Sequence, residues 1–85
     1  MSDDGIKDRV TATIMEVLKV AADEVGDDRR IKEDLGSDSL DAVTLVMALE
    51  DEFGGSIDDA DAKGLATVGD VVRYIHRRVA EKSLA

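Results

Sequence analysis

The chain has 85 residues, of which 20 are Asp or Glu and 11 are Lys or Arg, giving a formal net charge of −9 with no Cys and no Pro. That length allows one domain with a small core and leaves little bulk for a deep enzyme cleft. The missing Cys excludes disulfides, thiolate zinc sites and side-chain thiol chemistry, and the acidity disfavours nucleic acid and anionic membranes while pointing to basic partners.

No apolar run approaches the ~20 residues of a membrane span. Met1-Ser2-Asp3-Asp4-Gly5 has neither the basic flank nor the apolar stretch of a signal peptide, so the expected compartment is the cytoplasm. Although 36% of residues are charged, 44% are hydrophobic and recur at helical spacing, which favours a packed helical domain over disorder. Aromatic rings are scarce (Phe53 and Tyr74), so the core is expected to be Val, Leu, Ile and Ala.

In chain order, Ile6, Val10, Ile14, Val17, Leu18 and Ala21 form one stripe of a first helix, with Asp3 or Asp4 placed to cap its start. Residues 19 to 38 lose the periodicity and contain Gly26, the cluster Asp27-Asp28-Arg29-Arg30, and Gly36. They read as a long connection pinned to the core by Val20, Val25, Ile31 and Leu35. A second helix is expected from Asp38 or Ser39 to Phe53, stopped by Gly54-Gly55. Residues 56 to 64 have room for one or two turns, anchored by Ile57 and Leu65. Thr67-Val68-Gly69-Asp70 reads as a capping box with Asp in the Glu position. It opens a last helix with the stripe Val68, Val71, Val72, Ile75 and Val79, and with Arg73, Arg77, Arg78 and Lys82 toward its C-terminal end. No strand pattern, repeat or low-complexity tract interrupts these elements. The predicted architecture is all-α, a small helix bundle with a long first connection.

The acidity is concentrated. From Glu33 to Ala62 there is no Lys or Arg, and the segment carries a net charge of −10. A charge run of this kind often only keeps a small protein solvated. Centred on one helix, it also suits docking by basic partners. On that helix Ala42, Leu45, Val46, Leu49 and Phe53 share a core-facing arc. Leu40, Val43 and Met47 project to a second arc bordered by Glu50 and Asp51, the pattern of an exposed docking stripe rather than of a helix buried all round.

Asp34-Leu35-Gly36-Ser37-Asp38-Ser39-Leu40 joins the connection to this helix. Gly36 permits a left-handed turn, Asp38 can cap the helix, and Ser39 would then sit at its first exposed turn. A phosphate ester there would meet free backbone N–H groups and the positive end of the helix dipole; equally, Ser37, Asp38 and Ser39 can serve only as capping oxygens. This segment, followed by Asp41-Ala42-Val43-Thr44-Leu45-Val46-Met47-Ala48-Leu49-Glu50-Asp51-Glu52-Phe53, resembles the attachment motif and recognition helix of the acyl carrier proteins of bacterial-type fatty acid synthesis. The likeness continues through Thr67-Val68-Gly69-Asp70-Val71-Val72-Arg73-Tyr74-Ile75 and covers about the whole chain, residues 1–85 as a single acyl-carrier domain.

The resemblance implies a four-helix fold with a short third helix, and a covalent 4′-phosphopantetheine, taken from coenzyme A, on Ser39. It implies a carrier, not an enzyme: a chain without Cys handles thioesters through an imported thiol. The docking face it implies comprises Asp38, Leu40, Asp41, Val43, Met47, Glu50 and Asp51. The implied partners are a phosphopantetheinyl transferase, an acyl transferase, a ketosynthase, a ketoreductase, a dehydratase and an enoyl reductase, met by a monomer carrying acyl chains. Those chains are expected to fold back between the second and third helices, where each buried CH₂ contributes up to ~0.8 kcal/mol, with a weak third helix as the gate.

Four positions depart from the family pattern. Ser37 stands where an apolar residue is usual, although Ser39 alone lies between Asp and Leu as the motif requires. Thr44 replaces a common acid, Asp58 replaces the usual Pro after Ile57, and Gly64 weakens the third helix by ~1 kcal/mol relative to Ala. These leave a specialised carrier for polyketide, lipid A-type or D-alanyl transfer as the alternative. A serine esterase is disfavoured because the Gly-Asp-Ser-Leu order is broken by Ser37 and the single His76 sits on a basic helix. Asp59, Asp61, Lys63, Gly64 and Asp70 partly follow calcium-loop spacing, but Lys63 puts a cation at a ligand position, and no metal site is expected.

Overall fold

The computed structural model describes residues 2–36 and 38–81, with side chains from Gly5 onward. Four α-helices form among them: α1 (Ser2–Leu18), α2 (Ser39–Phe53), α3 (Asp59–Lys63) and α4 (Val68–Ala80), with a single 3-10 turn at Ala22–Glu24. This is the all-α bundle with a short third helix and a long first connection that the spacing and the resemblance implied.

Ile6, Val10 and Ile14 recur four apart and are buried, which gives α1 one apolar face; Val17 and Leu18 are half-buried. Ala21, expected on the same stripe, lies beyond the helix and is exposed. Asp3 and Asp4, expected to cap the start of this helix, lie inside it, because α1 already begins at Ser2. The helix ends at Lys19, which adopts a left-handed φ of 59° while its N–H still reaches Met15 O at 2.9 Å.

α1 packs against both α2 and α4. Arg9 fastens it to the end of α2. Its Nε donates to Glu52 Oε2 at 2.8 Å and its Nη2 to Glu52 O at 2.7 Å, while the guanidinium lies 4.4 Å from the Phe53 ring centroid.

α2 begins and ends where the sequence places it. Asp38 caps it, and Gly54 (φ 72°, ψ 37°) closes it with its N–H on Glu50 O at 2.8 Å. Its buried face is narrower than expected. Leu45, Leu49 and Phe53 are buried and Val46 is half-buried, but Ala42 is exposed, so the core contact of α2 begins at Leu45.

In the long connection Val25 and Ile31 are buried and Val20 and Leu35 half-buried, so all four expected pins turn inward. The sequence did not show where the backbone of this segment bonds. Ile31 N–H donates to Ala66 O at 3.0 Å, Val68 N–H to Arg29 O at 3.0 Å and Gly69 N–H to Asp27 O at 2.8 Å, around an antiparallel bridge between Arg30 and Thr67. The connection is thus stitched to the start of α4, which satisfies N–H groups a helix leaves open.

The expected capping box is present there. Thr67 Oγ1 accepts Asp70 N–H at 3.1 Å, and Asp70 Oδ2 accepts the N–H groups of Thr67 at 3.1 Å and Ala66 at 3.2 Å. The Thr67 N–H first, then that of Ala66 and the Arg73 guanidinium, hold the Asp70 carboxyl below the ordinary carboxylate range. Val68, Val71 and Ile75 are buried with Tyr74, which the aliphatic stripe had not included; Val72 and Val79 are half-buried. Among the described residues, thirteen apolar side chains are buried together as one core, each fully buried aliphatic one contributing roughly 1.5–3 kcal/mol of transfer free energy.

Candidate functional site

Ser39 is the first residue of α2 and is exposed. The chain reaches it through Gly36, whose φ of 73° lies in the left-handed region that favours glycine, and through Asp38, whose backbone is extended. Asp38 Oδ1 accepts Asp41 N–H at 2.9 Å, and Asp41 Oδ2 takes Asp38 N–H at a longer 3.4 Å. Ala42 N–H donates to Asp38 O at 2.9 Å, the first intrahelical bond. The N–H groups at the first two helical positions, Ser39 and Leu40, precede that bond and are available to an anion on the Ser39 hydroxyl. An exposed hydroxyl at the positive end of a fifteen-residue helix suits a phosphodiester. Ser37, the second serine of the motif, lies outside the described residues.

Along α2 from Ser39, Leu40 is 73% exposed, Val43 56% and Met47 62%. Three large apolar side chains on the side of the helix turned from Leu45, Leu49 and Phe53 are the exposed stripe that the two arcs predicted. Thr44 adds no charge beside it; its hydroxyl is turned back onto Leu40 O at 3.0 Å.

The acids around the stripe are less free than their number suggests. Asp38 and Asp41 cap the helix. Glu33 and Asp34 face Arg30, Glu52 faces Arg9 and Asp61 faces Arg78. Asp34 is also held below the ordinary carboxylate range, chiefly by the Arg30 N–H it accepts. Glu50 is half-buried and its Oε2 accepts Ile57 N–H at 2.7 Å, which ties α2 to the segment leading into α3. Asp51, next to it, is exposed.

A second set of bonds holds α3 from the other side. Tyr74 donates its hydroxyl proton to Asp61 at 3.0 Å, and Arg78 donates to Tyr74 Oη and, at 3.1 Å, to Ser56 O. Burial first, then the bond to Asp61, raises the Tyr74 pKa above the ordinary phenol value. None of α3 itself is buried; Ala62 is half-buried, and the apolar anchors Ile57 and Leu65 flank it. The inward duty of Glu50 and the Tyr74–Asp61–Arg78 group were missed from sequence. The signal available was a Glu just before the Gly54-Gly55 break, where a long acid can reach back over the loop.

Surface hollows of about 510 Å³ and 300 Å³ open elsewhere, the first beside Ala60, Leu65 and Tyr74, the second beside Arg9, Thr13 and Glu52. Neither is lined by Ser39, and neither lies between α2 and α3. His76 lies half-buried in α4. Among the described residues no group of three or more His, Asp or Glu side chains is placed to hold a metal ion.

Among the described residues, Ser39 stands exposed at the foot of an acidic helix and away from both hollows. Residues 8–75 match the family described as the phosphopantetheine attachment site. The acyl carrier protein of Wolinella succinogenes is 51% identical over 70 residues, which cover 82% of this chain and 92% of that protein. The chain belongs to the acyl carrier protein family and has the phosphopantetheine cofactor of that family.

Proposed function

We propose that Ser39 is the attachment residue and that the protein carries acyl intermediates of fatty acid synthesis as a carrier rather than a catalyst. The bound group supplies a terminal thiol that holds acyl chains as thioesters. The chain's own residues do the rest. Asp38 orders the first turn of α2 around Ser39, where the first N–H groups of the helix would be available to a phosphate ester. Leu40, Val43 and Met47 offer apolar contact, while Asp38, Asp41, Glu50 and Asp51 offer charge to basic partner surfaces.

The supporting observation is the juxtaposition on one helix of an exposed serine at its first position and the exposed Leu40–Val43–Met47 stripe. The partners of this reading are the phosphopantetheinyl transferase, acyl transferase, ketosynthase, ketoreductase, dehydratase and enoyl reductase, in the cytoplasm. No described helix is long and apolar enough to cross a membrane. Thr44, whose hydroxyl is engaged internally and carries no charge, favours a second reading: a specialised carrier for polyketide, lipid A-type or D-alanyl transfer.

The test is intact-mass analysis after incubation with coenzyme A and a phosphopantetheinyl transferase. One added phosphopantetheine is expected on the parent protein and on Ser37→Ala, and none on Ser39→Ala. Addition to Ser39→Ala and its loss in Ser37→Ala would move the site to Ser37.

A further inference from the structure

The sequence has no Cys, so before a cofactor is attached its only sulfur atoms are the thioethers of its three methionines, Met1, Met15 and Met47. Two of these have described side chains, and their settings differ. Met15, on α1, is half-buried and packs against the core. Met47, on α2, is 62% exposed and stands in the apolar stripe between Val43 and the rim acids Glu50 and Asp51. Of the two thioethers, the one that solvent reaches more freely is therefore the one on the surface a partner would cover. Its value there depends on its being apolar: a methionine is flexible and polarizable, and it adapts to partner surfaces of different shape.

We propose that Met47 is a modification site, at which oxidation of the thioether to the sulfoxide by a peroxide weakens docking on α2 and reduction restores it. The proposal rests on the docking reading above. In the oxidation the sulfur lone pair takes one oxygen from hydrogen peroxide. An S–O bond forms, the O–O bond breaks, and the second oxygen leaves with both protons as water. Sulfur gives up two electrons and the peroxide accepts them. The product is a polar group on an otherwise apolar stripe. In the free protein the new oxygen is hydrated, because the side chain faces solvent, and the bundle stays folded. Against an apolar partner surface that oxygen must lose its water, and Leu40 and Val43 beside it offer no side-chain donor in exchange. The cost thus falls on the complex and not on the fold. It is reversible, since sulfoxide reductases, one for each epimer at sulfur, return the thioether.

The experiment treats the full chain, before cofactor loading, with hydrogen peroxide, removes the peroxide, and follows each sulfoxide by peptide mass. Met47 should oxidise about fivefold or more faster than Met15. The Met47 sulfoxide form should bind a phosphopantetheinyl transferase about tenfold more weakly than the untreated protein, recover after both reductases, and melt at the parent temperature. Met15→Leu should show the same loss with peroxide, whereas Met47→Leu should have one affinity before and after treatment. Met47→Ala tests the docking reading separately, because its transferase affinity should fall with no oxidant present. Oxidation of Met47 no faster than that of Met15 would refute the assignment of the site. Unchanged affinity in the sulfoxide form, with a loss in Met47→Ala, would refute the proposal and leave the docking reading intact. Parent affinity in Met47→Ala would refute docking through Met47 and the proposal with it. A peroxide-dependent loss in Met47→Leu, or a lowered Tm after oxidation, would assign the effect to another residue or to unfolding, and either would overturn the proposal.

Discussion

Asp38 stands next to the proposed attachment residue and has two separable roles, an acceptor for the α2 backbone and a charge for partners. Asp38→Ala removes both; Asp38→Asn keeps a side-chain carbonyl and removes the charge alone. The structural loss in the alanine variant is one good capping bond, Oδ1 to Asp41 N–H at 2.9 Å. Replacing such a cap by Ala costs ~1 kcal/mol, whereas Asn is about as good a cap as Asp. For a chain of this size 1 kcal/mol lowers Tm by roughly 4–8 °C. Thermal unfolding followed by circular dichroism should therefore show that drop for Asp38→Ala and a shift within about a third of it for Asp38→Asn. Both variants reduce the net negative charge equally, so charge repulsion cancels between them. Phosphopantetheine loading measured by mass should slow in both, with a weaker dependence on salt than in the parent. If Asp38→Asn melted as low as Asp38→Ala, the charge and not the acceptor would sustain the helix start, and the capping account would be wrong.

Two further outcomes are expected. Melting temperature should rise from low to physiological salt, because screening the acidic excess relieves repulsion. Below the ordinary carboxylate value of 3.8 it should fall: Asp70 and Asp34 have lower pKa in the folded chain, so their contribution is complete above that value and is lost as pH drops through the folded pKa. A melting temperature that decreased with added salt would contradict the first part, and one that rose below pH 3.8 the second. Gly69→Ala should be destabilising despite a helix propensity gain of ~1 kcal/mol, because a Cβ there would stand 2.9 Å from the backbone oxygen of Asp27. Overpacking of this kind costs about 1–3 kcal/mol; a raised Tm would show that the 27–31 segment yields freely.

The helices were legible because their determinants are local. Asp38, Gly54, Thr67 and Asp70 act within a turn of themselves, and Ile6, Val10 and Ile14 repeat at the helical period. The exposed stripe was legible for the same reason: a helix that already has a core face in Leu45, Leu49 and Phe53 must turn Leu40, Val43 and Met47 elsewhere. What was not legible depends on partners distant in sequence. Nothing near residues 27–31 announces that their carbonyls and N–H groups meet Ala66, Val68 and Gly69, because a backbone bond leaves no side-chain signature. Tyr74 lay off the aliphatic stripe, and its burial follows from the Asp61 and Arg78 groups that satisfy its hydroxyl. Ala42 was drawn into the core face by angle alone, which cannot tell how far along α2 the neighbouring helices reach.

The acids of the α2 face bear on how such a surface can be dissected. Asp38, Asp41 and Glu50 each accept or return a backbone bond of this fold, so removing any of them changes structure and charge together. Alanine at these positions would lower partner binding even if the partner never touched the residue. Amide replacements separate the two effects, since Asn and Gln still accept a backbone N–H but offer no charge. Asp51, which is exposed at the rim, is the control in which alanine should report charge alone. A docking map of this face therefore follows from Asp38→Asn, Asp41→Asn, Glu50→Gln and Asp51→Ala: equal loss of transferase affinity across the four would indicate a diffuse field, and a loss concentrated at one would identify a specific ion pair.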